Sequence, residues 1–333
     1  MWYEEISKDS DVVISTRIRY ARNIANEKFP NIMNKNEKEK IIKMVEQGID
    51  KEKYNVLRLK DMDEKTKGSL AERHLISKEI IDNLGSALIT NKDCRLVAMV
   101  NEEDHLRIQS FETGFNIDRA YDNLVSFTND ISKNIDFSQS NKYGYITACP
   151  TCIGTGLRVS VMLHLPGLAK LRLLDKLLDQ AVSIGLSVRG LYGENTSSYG
   201  YIYQFSNRKT LGVSDQEIVR NMNAIINTIV EQERSAREIL LKNNKVKVEN
   251  DVFRAYGILK NARLIDEEES IKLMSKVRFG ICMDMIEDIS LEKIQILMNS
   301  TQSYTLGSIL KEDFDRDLEN QNRAKYIREE LNK

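Results

Sequence analysis

Five apolar residues, Leu96 to Val100, run directly into Asn101 and then three adjacent carboxylates, Glu102, Glu103 and Asp104, followed by His105, Leu106 and Arg107. The apolar run reads as a buried strand. The carboxylates cannot follow it into a core, so the chain must surface at that point. Three like charges side by side repel one another, and two outcomes relieve them. Either water spreads them out in a solvated turn, or a cation sits among them.

Composition narrows the context. The chain has 333 residues, of which 41% are apolar, enough for one large domain or two ordinary ones. Basic and acidic residues nearly cancel, 49 against 50, so overall charge makes no case for nucleic acid or a membrane surface as partner. Cys94, Cys149, Cys152 and Cys282 are too few and too scattered for a disulfide framework. There is no secretory leader and no apolar run of membrane-spanning length, which places the expected location in the cytosol. Only three prolines and a charged fraction of 30% point to a helix-rich protein with few long loops.

Val12 to Tyr20 is a β-branched run whose alternation puts Ile14, Thr16, Ile18 and Tyr20 on one strand face and Arg17 and Arg19 on the other. Two guanidinium groups on one face form a fork suited to phosphate oxygens, or else a pair of exposed strand charges. Helical spacing of apolar residues predicts surface helices over residues 36–49, 117–135 and 168–184. Ser214 to Glu217 is a capping box, opening a helix to about Leu241 that would be about 40 Å long. Beyond Asn243 glycine becomes scarce and helical patterns recur. The expected organisation is an extension over residues 1–10, with Trp2 and Tyr3 pinning it to the body, a main domain over 11–242 and a helical domain over 243–333.

Two further stretches carry polar chemistry. In Cys149-Pro150-Thr151-Cys152-Ile153-Gly154-Thr155-Gly156-Leu157-Arg158 the glycines let backbone approach a ligand and Arg158 adds a fixed charge. The Cys149/Cys152 spacing admits a rival reading as a thiol–disulfide pair, which would need a βαβ unit with Cys149 at a helix N-terminus. Val188 to Gly200 holds three glycines among small polar residues with Arg189 and Glu194, a loop of the kind that closes over substrates or simply connects two strands. His74, between two predicted elements, is open to either a structural or a ligand-contacting role.

Ser15-Thr16-Arg17-Ile18-Arg19, Asn101 to Arg107, Cys149 to Arg158 and Arg189 to Glu194 together resemble the ATP:guanidino phosphotransferases, with four motifs in the family's order. Within the family the chain looks most like the bacterial protein-arginine kinases. It shows no counterpart of the long N-terminal helical domain of creatine and arginine kinases, and it carries an extra helical region at its C-terminal end. The resemblance implies an α+β fold, a large antiparallel β-sheet flanked by helices and followed by a small all-helical domain for dimerisation or regulation. It further implies ATP as substrate with Mg²⁺ on its phosphates. Ser15, Thr16, Arg17, Ile18, Arg19, His74, Arg107, Arg158, Val159, Ser160, Val161, Met162, Arg189, Gly190, Leu191, Tyr192, Gly193 and Glu194 would lie against the nucleotide. Glu103 matches the catalytic carboxylate, Glu194 the second carboxylate that arginine-specific members carry, and Cys149 the reactive thiol beside the guanidinium.

The activity so implied is transfer of the γ-phosphoryl group of ATP to arginine side chains, in stress response and protein quality control. The partners implied are arginine-bearing protein substrates, a zinc-binding activator, a heat-shock repressor, Clp protease components and a second copy of the chain. A free-arginine kinase and a non-catalytic arginine-recognising adaptor are the competing functions. Two departures stand out. Cys152 occupies a position where asparagine is common, and Glu319-Asn320-Gln321-Asn322-Arg323-Ala324 keeps only the second half of an Arg-Asp-x-x-Arg-Ala motif associated with phosphoarginine binding. Glu319 would set negative charge against a phosphoryl group, so that regulatory site is expected not to work in its usual form.

Overall fold

The computed structural model describes residues 3–190, 199–311 and 316–333, so Trp2 and Leu191 to Glu194 lie outside the described residues. Eight strands form one antiparallel sheet. They are β1 (Val13–Arg22), β2 (Tyr54–Arg58), β3 (Ala87–Asn91), β4 (Leu96–Val100), β5 (Leu106–Thr113), β8 (Leu157–His164), β9 (Leu186–Gly190) and β10 (Ile202–Asn207), in the order β2-β3-β4-β5-β1-β8-β10-β9. The short strands β6 (Gln139–Ser140) and β7 (Gly144–Tyr145) pair separately. β1 lies in the interior of the sheet because both its faces are needed: Thr16, Ile18 and Tyr20 are buried on one side, while Arg17 and Arg19 share the other with Phe111 and Gln109 of β5.

The fully apolar face carries the main core. Ile18, Ile108, Val159, Val161 and Phe205 meet helices α1 (Lys35–Gly48), α3 (Ile117–Ile131), α5 (Leu174–Ser183) and the first half of α6 (Asp215–Asn261). The helix expected over 168–184 is divided instead into α4 (Pro166–Lys170) and α5, with left-handed Arg172 (φ +59°) between them. Val182, an apolar residue within that expected helix, is exposed. Ile14 also departs from the alternation. A register shift between Val13 and Ser15 turns it to the second core, away from Ile18.

On the opposite face, one part of the sheet (Leu88, Val97, Met99, Phe111) packs with α2 (Glu64–Glu72), the residues after it, and the helical C-terminal region. That region contains the end of α6 and α7 (Glu267–Cys282), α8 (Leu291–Ser300), α9 (Ser303–Leu310) and α10 (Arg316–Leu331). α6 does not stop near Leu241. It continues to Asn261, interrupted by one non-helical residue, Asn244 (φ −139°, ψ 29°). Its apolar stripe persists on both sides of that break: Met222, Ile226 and Ile229 pack on the sheet, Val248, Val252 and Leu259 on α7. No helix among the described residues is long and apolar enough to cross a membrane.

A buried polar knot joins the helical region to the sheet. Arg278 of α7 donates to the carbonyls of Ser10 and Asp11 and to His164 Nδ1 at 2.9 Å, and His164 Nε2 lies 2.8 Å from Ser275 Oγ. The Ser275 hydroxyl donates onward to the Gly200 carbonyl. Burial and the nearby Arg278 and Arg237 hold His164 neutral, well below the usual histidine range, as an acceptor at Nδ1 requires. Replacing Arg278 by methionine strands three buried acceptors, so Arg278→Met is expected to cost about 3 kcal/mol or more in a urea unfolding curve; an unchanged midpoint would remove the knot as a stabilising contact.

Candidate active site

Strand register assembles the site. Ser15, Arg17 and Arg19 of β1 stand opposite Met162, Ser160 and Arg158 of β8, and Arg189 of β9 stands opposite Gln204 of β10, itself opposite Met162. Arg107 of β5 faces Ala21. Directly opposed residues share a face, so all five arginines converge on one side of the sheet. Arg19 and Arg158 are cross-strand partners, an arrangement that like charge alone would disfavour.

The electrostatics record the crowding. Burial, then Arg107, Arg158 and Arg189, lower the pKa of Arg17 to about 10. Burial, then Arg17, Arg107 and Arg158, pull Arg19 far lower than an ordinary guanidinium. Arg158 is lowered by burial and by Arg189. The Nε groups of Arg19 and Arg158 are buried without a hydrogen-bond partner. Donors left unpaired inside a positive cluster are what an anion with many oxygens would satisfy. A cavity of about 390 Å³ opens beside Arg158, Arg189 and Arg208, with Cys152 and Thr151 on its wall.

The acidic turn divides its three charges. Asn101 begins it in the left-handed conformation (φ +59°), its backbone N–H donating to the His105 carbonyl. Glu102 takes the Arg107 guanidinium through both carboxylate oxygens at 2.6 Å and accepts the Ser77 hydroxyl at 2.7 Å. Burial works against its charged form, but Arg107, the Glu103 amide and Ser77 prevail, and the Glu102 pKa is lowered. Arg107 answers in kind: burial opposes its charge, Glu102 restores it, and its pKa is raised. Asp104 is buried and accepts from Asn23 Nδ2 at 2.6 Å and from the Ala148 amide at 2.7 Å, tying the turn to the loop that carries Cys149.

Glu103 alone of the three points outward, and its carboxylate has no partner among the described residues. Partial burial and Asp104 raise its pKa, with Arg107 pulling the other way. A carboxylate so placed is poised to accept a proton. Cys149 is half-buried, its Sγ 3.0 Å from Thr151 Oγ1, and precedes the short turn Pro150–Cys152. The sheet is antiparallel around it and both thiols are free, so the βαβ context that a thiol–disulfide pair requires is missing among the described residues. Burial and Cys149 raise the Cys152 thiol, partly offset by Arg107 and Arg158.

His74 joins the arginines from outside the sheet. α2 closes with the Leu75 amide donating to the Leu70 carbonyl and the His74 amide to Ala71, the pattern that places a left-handed residue just past a helix. That residue is usually glycine; here it is His74, at φ +61°. Burial, then Arg17 and Arg19, lower its pKa to about 3, so it is neutral at pH 7. Arg17, His74, Met162, Arg189, Gly190 and Gln204 line a small cavity with Ile202, and Arg17 donates to Gln204 Oε1 at 2.9 Å.

Residues 31–236 match the family "ATP:guanido phosphotransferase, C-terminal catalytic domain", and residues 245–333 match "Protein-arginine kinase McsB C-terminal domain". The protein-arginine kinase of Clostridium acetobutylicum is 39% identical over 336 residues, covering 99% of both chains. The chain belongs to the protein-arginine kinase branch of the ATP:guanido phosphotransferases. The protein-arginine kinase of Bacillus velezensis is 37% identical across 99% of this chain and 93% of its own. Among solved structures, the duplicated taurocyamine kinase from Schistosoma mansoni superposes with a TM-score of 0.61 at 30% identity, over 67% of this chain and 33% of that one. Lombricine kinase, at 22% identity and a TM-score of 0.59, covers 70% of each chain and shares the fold.

Within that family frame, Ser15, Arg17, Arg19, His74, Arg107, Arg158, Ser160, Met162 and Arg189 lie on the arginine-bearing side, and Gly190, next along β9, borders the same cavity. Thr16, Ile18, Val159 and Val161 do not: their side chains are buried on the opposite face, where they hold the strands in place. A contiguous motif on a strand presents only every second side chain to a ligand. Leu191, Tyr192, Gly193 and Glu194 lie outside the described residues. Sequence reasoning missed Ser77, Gln204 and the pairing role of Glu102, although the triple carboxylate already showed that more than one acid had to be neutralised there. His74→Gly should remove the left-handed strain and raise the thermal midpoint while weakening ATP binding about tenfold; tighter or unchanged binding by calorimetry would show that the imidazole does not serve the nucleotide.

Proposed function

We infer that this protein transfers the γ-phosphoryl group of ATP to the guanidinium of arginine side chains in proteins. The observation that carries the reading is the convergence of Arg17, Arg19, Arg107, Arg158 and Arg189 on one sheet face next to the acidic turn that presents Glu103. Phosphoryl transfer calls for positioning and for neutralising a polyphosphate, and five fixed cations, with the Nε groups of Arg19 and Arg158 buried and unpartnered, answer both needs. Mg²⁺ would travel on the nucleotide's phosphate oxygens, because it keeps most of its waters and is held mainly through phosphate.

The acceptor nitrogen belongs to a cation that stays protonated beyond pH 12, so its attack needs a base. Glu103 takes the proton as the N–P bond forms and the bond from the γ-phosphorus to the bridging oxygen breaks, releasing ADP. Arg107, kept charged and oriented by Glu102, stabilises the moving phosphoryl group, and Arg158 shares that task. Cys149, tethered through Ala148 to Asp104, would tune the field at the acceptor. Glu194 is proposed as the second carboxylate on the guanidinium. Because the acting form of Glu103 is the anion and its pKa is raised, the rate should fall with acid at a higher pH than an ordinary glutamate would give.

A cytoplasmic role in stress response, with a zinc-binding activator, a heat-shock repressor and Clp components as partners, is proposed from the family resemblance. Phosphorylation would reverse the charge at each target arginine. A homodimer is supported by Ile239, Val246 and Phe253, large apolar side chains of α6 on either side of Asn244 that are 49%, 76% and 49% exposed. The C-terminal phosphoarginine site is not proposed to act in its usual form: buried Arg323 is bound to Glu319, Asn320 Oδ1 and the Thr301 carbonyl, so its charge is already satisfied from within.

Purified protein given Mg-ATP and either free arginine or a basic protein should form acid-labile phosphoarginine on the protein, read by neutral-pH mass spectrometry. Product on free arginine alone would support a free-arginine kinase, and none on either would support an adaptor. Glu103→Gln should lower kcat at least a hundredfold while ATP binding persists, and undiminished turnover would exclude it as the base. Val246→Glu should convert the dimer to monomer by light scattering; an unaltered mass would place any interface elsewhere.

A further inference from the structure

α2 meets the helical C-terminal region across an unusually close contact. A Cβ at Gly68 would run into the Tyr304 ring, and Ser69 Oγ lies 3.3 Å from Thr305 Oγ1. One turn on, Glu72 ends α2 and reaches across to α9, which has no side-chain cap of its own. Its carboxylate accepts the Tyr304 amide at 2.9 Å, the Thr305 amide at 2.7 Å and the Thr305 hydroxyl at 2.7 Å. A carboxylate over the first-turn N–H groups of a helix is a strong cap. Here it is supplied by a helix more than two hundred residues away in the chain.

The residues after Glu72 lead straight into the site. His74 holds its left-handed conformation among the arginines, Gln109 Nε2 donates to the Leu75 carbonyl at 2.8 Å, and Ser77 donates to Glu102, which grips Arg107. A cavity of about 740 Å³ runs along this segment. Arg17, His74 and Ser77 line one side, and Glu267, Ser303 and Tyr304 of the helical region line the other. A strained non-glycine residue persists only where its surroundings hold both ends of the segment. One end is Ser77 on Glu102; the other is Glu72 on α9.

We propose that Glu72 is a positioning residue for phosphoryl transfer: by capping α9 it fixes the Arg73–Ser77 segment, and through Ser77 and Glu102 it sets the orientation of Arg107. The inference rests on the reading of the arginine cluster as the nucleotide and phosphoryl site. The docking of the C-terminal helices thereby becomes a condition for full activity. The chain of contacts is contiguous: hydrogen bonds to the Glu72 carboxylate at one end and to the Glu102 carboxylate at the other, joined by the backbone of residues 73–77, and bonds to a charged partner are the kind that lose most when that partner is removed.

The test is a double-mutant cycle on the full-length protein with Glu72→Ala and Ser77→Ala. Each alone should lower kcat/KM for ATP about tenfold, and the double variant should be no worse than the more severe single, because both cut the same link. Glu72→Gln, which keeps an acceptor oxygen, should recover most of the loss. Amide hydrogen exchange of Leu75 to Ser77 should quicken about tenfold in Glu72→Ala. Additive losses, or unchanged exchange in that segment, would overturn the proposal. Should Glu72→Ala not fold, Thr305→Val, which removes one donor to the Glu72 carboxylate, takes its place, and unchanged exchange of Leu75 to Ser77 in that variant overturns the proposal equally. A wild-type protein that makes no phosphoarginine would instead refute the functional reading, while the exchange result still judges the link.

Discussion

Five guanidinium groups held on one face of an antiparallel sheet are the constraint to which the rest of the molecule answers. Like charges do not gather spontaneously, and burial first, then the neighbouring arginines, lower the pKa of Arg17 and Arg19, so folding works against their charged forms. The opposite face supplies what offsets it: Thr16, Ile18, Val159 and Val161 bury the same strands that carry the arginines. Core packing and ligand field are thus two sides of one pair of strands, β1 and β8.

The acidic turn solves the complementary problem. Its three carboxylates are separated by their contacts. Glu102 is consumed by Arg107 and Ser77, Asp104 by the loop carrying Cys149, and Glu103 is left free to react. The two neutralised acids hold the ground around the third, so the proposed base stands between the Arg107 cation and the loop that brings a thiol. Both outcomes foreseen for the cluster are realised at once, because an internal cation sits among the acids and one acid remains in water.

Much of this was legible in the residues. Alternation over Thr16 to Arg19 separates core from site on β1, and the Ser214 to Glu217 capping box is where α6 begins. Three features were not legible, each for a physical reason. The shift at Ile14 is a local slip in pairing that no side-chain pattern encodes. The left-handed turn at Arg172 uses a residue with no special preference for that conformation, and the one at His74 a residue that adopts it only in a minority of cases, so tertiary contacts decide both. The contact of Glu72 with α9 joins positions far apart in the chain, and a lone glutamate at a helix end looks like any solvated charge. The antiparallel sheet itself followed from kinship of motifs, since strand order leaves no trace in periodicity.

The passage of α6 from one core to the other through Asn244 sets a phase relation between the two regions. Each helical residue advances its successors by about 100° around the axis and 1.5 Å along it. Gain or loss of a single residue in the second half would swing Val248 and Val252 out of register with α7 and carry Arg278 away from His164. The junction therefore behaves as a splined shaft, tolerant of substitution on its exposed side and intolerant of any change in count.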